Sequence, residues 1–131
     1  MYKIKFYKDK KGRQPAKEFI QELAGKKDKD SRVNLNKIND YIEALKQNGT
    51  RLGMPFVRHL EDDLWELRPL GNRIFFAVWI DGIFVLLHGY EKKSQKTPEK
   101  ELKRARQEIR DLRERNFLHL KKLLNPIYAS R

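Results

Sequence analysis

The sequence predicts an α+β fold, a compact antiparallel sheet with helices packed on one face. Three observations carry that expectation. Apolar and polar residues alternate in twos near the start and again after residue 54, whereas apolar residues three and four apart mark helices between those stretches and after residue 97. The breaks between the later strands are short, Gly71-Asn72 and then Asp81-Gly82, the second a strong two-residue hairpin signal. No internal repeat, low-complexity linker or composition shift divides the 131 residues, a length that suits one domain with one core.

The first element is YKIKFY (2–7), with Tyr2, Ile4 and Phe6 on one side and Lys3, Lys5 and Tyr7 on a wet side. After the turn KDKKGR, Pro15 fits a first helical position. Phe19, Ile20 and Leu23 form the apolar stripe of that helix, and Gly25 its C-terminal cap. Asp30 or Ser31 caps a second helix, in which Leu35, Ile38, Ile42 and Leu45 recur at helical spacing before Gly49 ends it. MPFVRHL (54–60) reads as a short strand; LWELRPL (64–70), NRIFFAVWI (72–80) and GIFVLLHGY (82–90) are stronger ones. The last two are apolar on both faces near their middles, as central strands are. Thr97 then caps a third helix, with Pro98 at its first position and Glu99 and Glu101 in its first turn. The tail 117–131 is amphipathic up to Asn125-Pro126, as a short further helix would be.

Composition narrows the function. There is no cysteine, which excludes disulfides and thiolate metal sites. No apolar run approaches the ~20 residues of a membrane helix, and MYKIKFYKDK lacks the apolar centre of a signal peptide. A soluble, cytoplasmic protein is the simplest expectation. Lys and Arg number 30 against 18 Asp and Glu, a net charge of +12 that attracts polyanions. Nucleic acid ranks first among these, because phosphate neutralisation releases counterions; an acidic protein partner ranks second and a membrane surface third.

Signatures of metal, nucleotide-loop and serine chemistry are missing, and His59, His88 and His119 lack metal-ligand spacing. Asp62-Asp63 sits in a turn and reads as solvated. A basic constellation remains. Arg68 projects opposite Trp65 and Leu67, and Arg73 opens the next strand, so a hairpin brings both guanidinium forks to one end of the sheet. The plain alternative is that Arg68 pairs with Glu66 or Glu61. His88 and Tyr90 share a side of their strand. The histidine either moves protons or bonds a carbonyl, and the tyrosine either stacks on a base or caps the sheet rim. Lys92, Lys93 and Lys96 precede a helix start, where they grip phosphate or simply face solvent.

LWELR, NRIFFAVW and VLLHGYEKKSQKTPEKELKRA resemble the phage-derived Gp49-like family within the RelE/HigB superfamily of bacterial toxins. The sharpest piece is 88–98. The resemblance runs from the first strand through the third helix. It implies a RelE/HigB-like toxin domain over 1–116, with 117–131 as an amphipathic C-terminal extension of it, and a RelE-like microbial-ribonuclease-type fold. It further implies the toxin of a type II toxin-antitoxin system, an endoribonuclease cutting messenger RNA in the ribosomal A site and inhibiting translation. An antitoxin, often a helix-turn-helix protein encoded beside it, holds such a toxin inactive. Arg68 and Arg73 fall on basic active-site positions of that superfamily, and Lys93 falls close to another. Glu66 stands where better-known relatives carry a lysine, and their catalytic tyrosine has no counterpart at Lys96 or Thr97. His88, Tyr90 and Lys96 are therefore alternatives for the general base. RNA supplies its own 2′-hydroxyl nucleophile, so no cofactor or metal is required. On this reading Arg68, Arg73, His88 and Lys93 are catalytic, while Tyr90, Lys92 and Lys96 bind RNA. The alternative is a non-catalytic basic RNA- or DNA-binding accessory protein of phage origin.

Overall fold

The structure, a computed structural model, describes residues 1–124, the side chains of Asp81 and of residues 117–124 excepted. In chain order the elements are β1 (Lys3–Phe6), α1 (Pro15–Ala24), α2 (Lys29–Asn48), β2 (Val57–Glu61), β3 (Leu64–Leu67), β4 (Asn72–Val78), β5 (Ile83–Glu91) and α3 (Glu99–Leu124). The strands form one sheet in the order β1-β5-β4-β3-β2. β1 runs parallel to β5 and the other pairs are antiparallel, so the sheet is mixed rather than wholly antiparallel.

Helices cover both faces, which corrects the expectation of one covered face. α2 sets Ile38 and Leu45 against Ile74, Phe76, Phe84 and Leu86, with α1 beside it. On the other face α3 lays Ala105 and Ile109 over Phe75, Ala77, Val85 and Leu87. The cause lies in β4 and β5, whose side chains are buried in both directions and so need a partner layer on each side. Phe75 and Phe76 are neighbours in sequence and fully buried on opposite faces. Each contributes roughly 1.5–3 kcal/mol of burial.

The helix ends follow local chemistry. Pro15 opens α1, and Glu18 reaches back to accept the Gln14 N–H. α2 is capped by Asp28, not by Asp30 or Ser31; its carboxylate accepts the Ser31 N–H and Oγ–H. Gly49 ends α2 at φ 65°, in the left-handed region. α3 begins at Glu99, with the Pro98 carbonyl accepting from Glu101 and Leu102, so Thr97 lies just outside the helix. The helix continues to Leu124 where the sequence suggested a separate short element, and Asn125-Pro126 lies outside the described residues.

Two details of register decide what faces where. Tyr7 is not on a wet side: it is 4% exposed and donates to Asp111 of α3. In the β4–β5 ladder Ile74 pairs with Gly89 and Phe76 with Leu86, so Phe75 faces two residues, Leu87 and His88. This bulge resets the alternation and turns His88 and Tyr90 toward the α3 side. Gly89 turns the other way onto α1, where a Cβ would come within 2.7 Å of the Phe19 ring.

Candidate functional site

The face that carries α3 is only partly covered by it. Beyond the helix lies a group of charged side chains from three strands and the loop after β5. Its hub is Glu66 of β3. Trp65 and Leu67 pack toward α1 and α2, so Glu66 and the next residue of that parity, Arg68, project to the other face. Register brings Arg58 of β2 opposite Glu66 and sets Arg73 of β4 opposite Tyr90 of β5. The Nε atoms of Arg68 and Arg73 stand 3.8 and 3.9 Å from Glu66 Oε1. The alternative pairing of Arg68 with Glu66 is thus present, but as one part of a larger cluster.

Four cations, Arg58, Arg68, Arg73 and Lys92, pull on this one carboxylate. Glu66 is 2% exposed, and that burial outweighs the four attractions and holds its carboxyl above the usual glutamate range. The Arg73 guanidinium is pushed down by burial and by Arg68. It is held in place by donating to the carbonyls of Leu70 and Asn72, with Leu70 in the left-handed region at φ 56°. Arg68 donates from Nη1 to Met54 Sδ. Glu66 Oε2 and Arg68 Nε are buried without a hydrogen-bond partner, an uncommon state for charged groups.

Tyr90 stacks on Phe75 with ring centres 5.6 Å apart. Burial and the charge of Glu66 raise its hydroxyl above the usual tyrosine range, while the charge of Arg73 pulls the other way. The loop after β5 is tied down by the Lys92 N–H, which donates to Gly71 O. Lys92 is half-buried beside the cluster; Lys93 and Lys96 are exposed along the loop.

The structure therefore gathers Arg68, Arg73, Tyr90 and Lys92, and leaves Lys93 and Lys96 on the rim. His88 does not join them. It is 1% exposed under α3, with Nδ1 2.5 Å from Glu108 Oε1 and Nε2 3.1 Å from Glu101 Oε1. Both ring nitrogens face carboxylates rather than a backbone carbonyl, so the structure places His88 outside the cluster, as a tie between β5 and α3. Two residues escaped the sequence reading, Arg58 as a member and Glu66 as the hub. Regular pairing outward from the Asp62-Asp63 turn would set His59 opposite Glu66. The register shift between His59 and Glu61 brings Arg58 there instead, and nothing in the local sequence announced it.

Among the described residues no group of three or more His, Asp or Glu is arranged to hold a metal ion. Nor is any helix among them long and apolar enough to cross a membrane. A family model described as phage derived protein Gp49-like (DUF891) matches residues 16–110, a span that contains every member of the cluster. No curated protein matches the chain.

Proposed function

The chain belongs to the phage-derived Gp49-like family, and from that premise we propose that it is the toxin of a type II toxin-antitoxin system. In this reading it is a ribosome-dependent endoribonuclease of the RelE/HigB kind that cleaves messenger RNA and stops translation. The observation that carries the reading is the excess of cations around Glu66 on the uncovered part of the sheet. Four positive groups facing one buried carboxylate suit a phosphodiester, which gains negative charge at its transition state.

The residues divide the work as follows. Arg68 and Arg73 hold the scissile phosphate and stabilise the pentavalent transition state. Glu66, at the centre of these cations, accepts the proton of the 2′-hydroxyl. Burial holds its carboxyl above the usual glutamate range, the direction that strengthens it as a base. The 2′-oxygen forms its bond to phosphorus as the bond to the 5′-oxygen breaks. The Tyr90 hydroxyl hands a proton to that leaving oxygen. The products are a 2′,3′-cyclic phosphate and a 5′-hydroxyl. Lys92, Lys93 and Lys96 bind flanking phosphates or ribosomal RNA. A helix-turn-helix antitoxin encoded beside the toxin is the expected partner, and no cofactor takes part.

The test is induced expression in bacteria with and without that neighbour, followed by mapping of transcript ends. Wild type should arrest growth and cut transcripts, co-expression of the neighbour should relieve both, and Arg73→Ala should lose both. Full-strength arrest and cleavage by Arg73→Ala would remove Arg73 from the site.

A further inference from the structure

A cavity of about 480 Å³ adjoins the cluster, between the β2 edge of the sheet, the loop after β5 and the start of α3. Its apolar walls are Leu60 and Leu102, both packed against the core on the α3 side and so fixed in place. Gln95 and Thr97 supply an amide and a hydroxyl, and Arg58 and Lys96 supply charge. Arg58 also acts on Glu66, so cavity and cluster share one side chain.

Resting on the reading of the cluster as an RNA-cleavage site, we propose that this cavity receives a nucleobase of single-stranded RNA, next to the phosphate held by the arginines. A base has two apolar faces, a polar edge and a tether to phosphate. The cavity offers apolar walls, polar groups between them, and cations where the tether leads. Its volume lies within the ordinary range for small-ligand sites.

Contact with the cluster, through Arg58, singles out this cavity on its side of the sheet. The cavity between the β1–α1 loop and α3 mixes Asp9, Glu108 and Asp111 with Lys10, Lys11, Arg13 and Arg104 and contains no member of the cluster. That beside the β2–β3 turn mixes Glu61, Asp62, Asp63 and Glu114 with Arg106, Arg110 and Arg113 and contains none either. In the proposed subsite the one carboxylate, Glu61, is taken by Arg106, which contacts both of its oxygens. Glu61 therefore acts as a wall, and Gln95 is the group free to read a base edge, as glutamine does through paired hydrogen bonds.

The probes are 2′-O-methyl trinucleotides, which cannot be cleaved, and the same molecules made abasic at each position in turn. They are titrated onto the full chain by calorimetry without ribosomes, and ribosome-dependent transcript cleavage is scored on the same preparation. At one position, removal of the base should weaken binding by about tenfold, as loss of roughly 1.4 kcal/mol of apolar burial between the two leucines would. Gln95→Ala, an exposed loop change, should shrink that ratio by about threefold, a typical hydrogen-bond loss. Lys96→Ala should weaken every probe and leave the ratio intact. Equal binding of abasic and complete probes by wild type overturns the subsite, as does a ratio unchanged in Gln95→Ala. Cleavage with no base discrimination removes the subsite and leaves the ribonuclease reading standing; discrimination without cleavage does the reverse. Failure of every probe to bind, with ribosome-dependent cleavage intact, also counts against the subsite.

Discussion

Two charged clusters sit on the same face of the sheet, and they are built in opposite ways. Under α3, the His88 imidazole lies between two carboxylates, Glu101 and Glu108, and Arg104 reaches Glu108 from outside at 3.5 Å. Each charged group there has a protein partner, and the helix closes over it. In the uncovered half, four cations surround Glu66, and both Glu66 and Arg68 keep a buried polar atom without a partner. The first arrangement is complete by itself. The second has more charge than the protein neutralises, which destabilises a fold and is retained where a ligand supplies the balance. Burial, a usual pointer to a catalytic group, picks out His88 as strongly as Glu66. Partner balance is what separates them.

If the covered cluster is structural, removing its centre should harm stability and nothing else. His88→Ala leaves two carboxylates in a largely buried site with one partner fewer, and should cost about 3–5 kcal/mol in chemical unfolding. The cleavage rate per folded molecule should stay at the wild-type value. A stable His88→Ala protein that cannot cleave RNA would erase the distinction between the two halves. The reverse pattern is expected for Arg68→Ala, with cleavage down about 10²–10³-fold, the worth of a group stabilising transition-state charge, and an unfolding midpoint close to wild type.

Glu66→Gln sharpens the comparison further. Burial holds the folded Glu66 carboxyl above its ordinary range, so ionising it costs the native state stability. That cost is absent below the unfolded value and complete above the folded one. The variant should therefore melt higher than wild type at neutral pH, with the difference vanishing in acid below the ordinary glutamate range. Cleavage should fall by about 10²-fold as the base is lost. A variant less stable than wild type at neutral pH would mean that the cations, not burial, dominate at Glu66. The smallest effect is expected on the rim. Lys93→Ala and Lys96→Ala should each weaken RNA binding several-fold and flatten its salt dependence by about one phosphate contact, measured from binding constants across a salt series.

Much of this was legible in the residues. The strands, the Pro15 helix start, the Gly49 stop and the projection of Arg68 opposite Trp65 all follow from spacing and local chemistry. What escaped depends on pairing between distant segments. The both-sided burial of β4 and β5 was visible, but the direction in which α3 crosses, and hence the second covered face, was not. The parallel partner of β1 is β5, about eighty residues downstream. The carboxylates that occupy His88 lie 13 and 20 residues away, and their approach depends on the bulge at Leu87–His88, whose local trace is Gly89. Glu66 was read as a departure from a lysine-bearing pattern because a single residue does not announce the four cations that the fold collects around it.

The central claim is that the uncovered cluster cuts RNA through its own 2′-hydroxyl, and product chemistry tests it most directly. Purified protein, ribosomes and a defined messenger RNA should yield fragments ending in 2′,3′-cyclic phosphate and beginning with 5′-hydroxyl, and Arg68→Ala should yield few or none. RNA that is bound but stays whole, or fragments that begin with 5′-phosphate, would contradict the account.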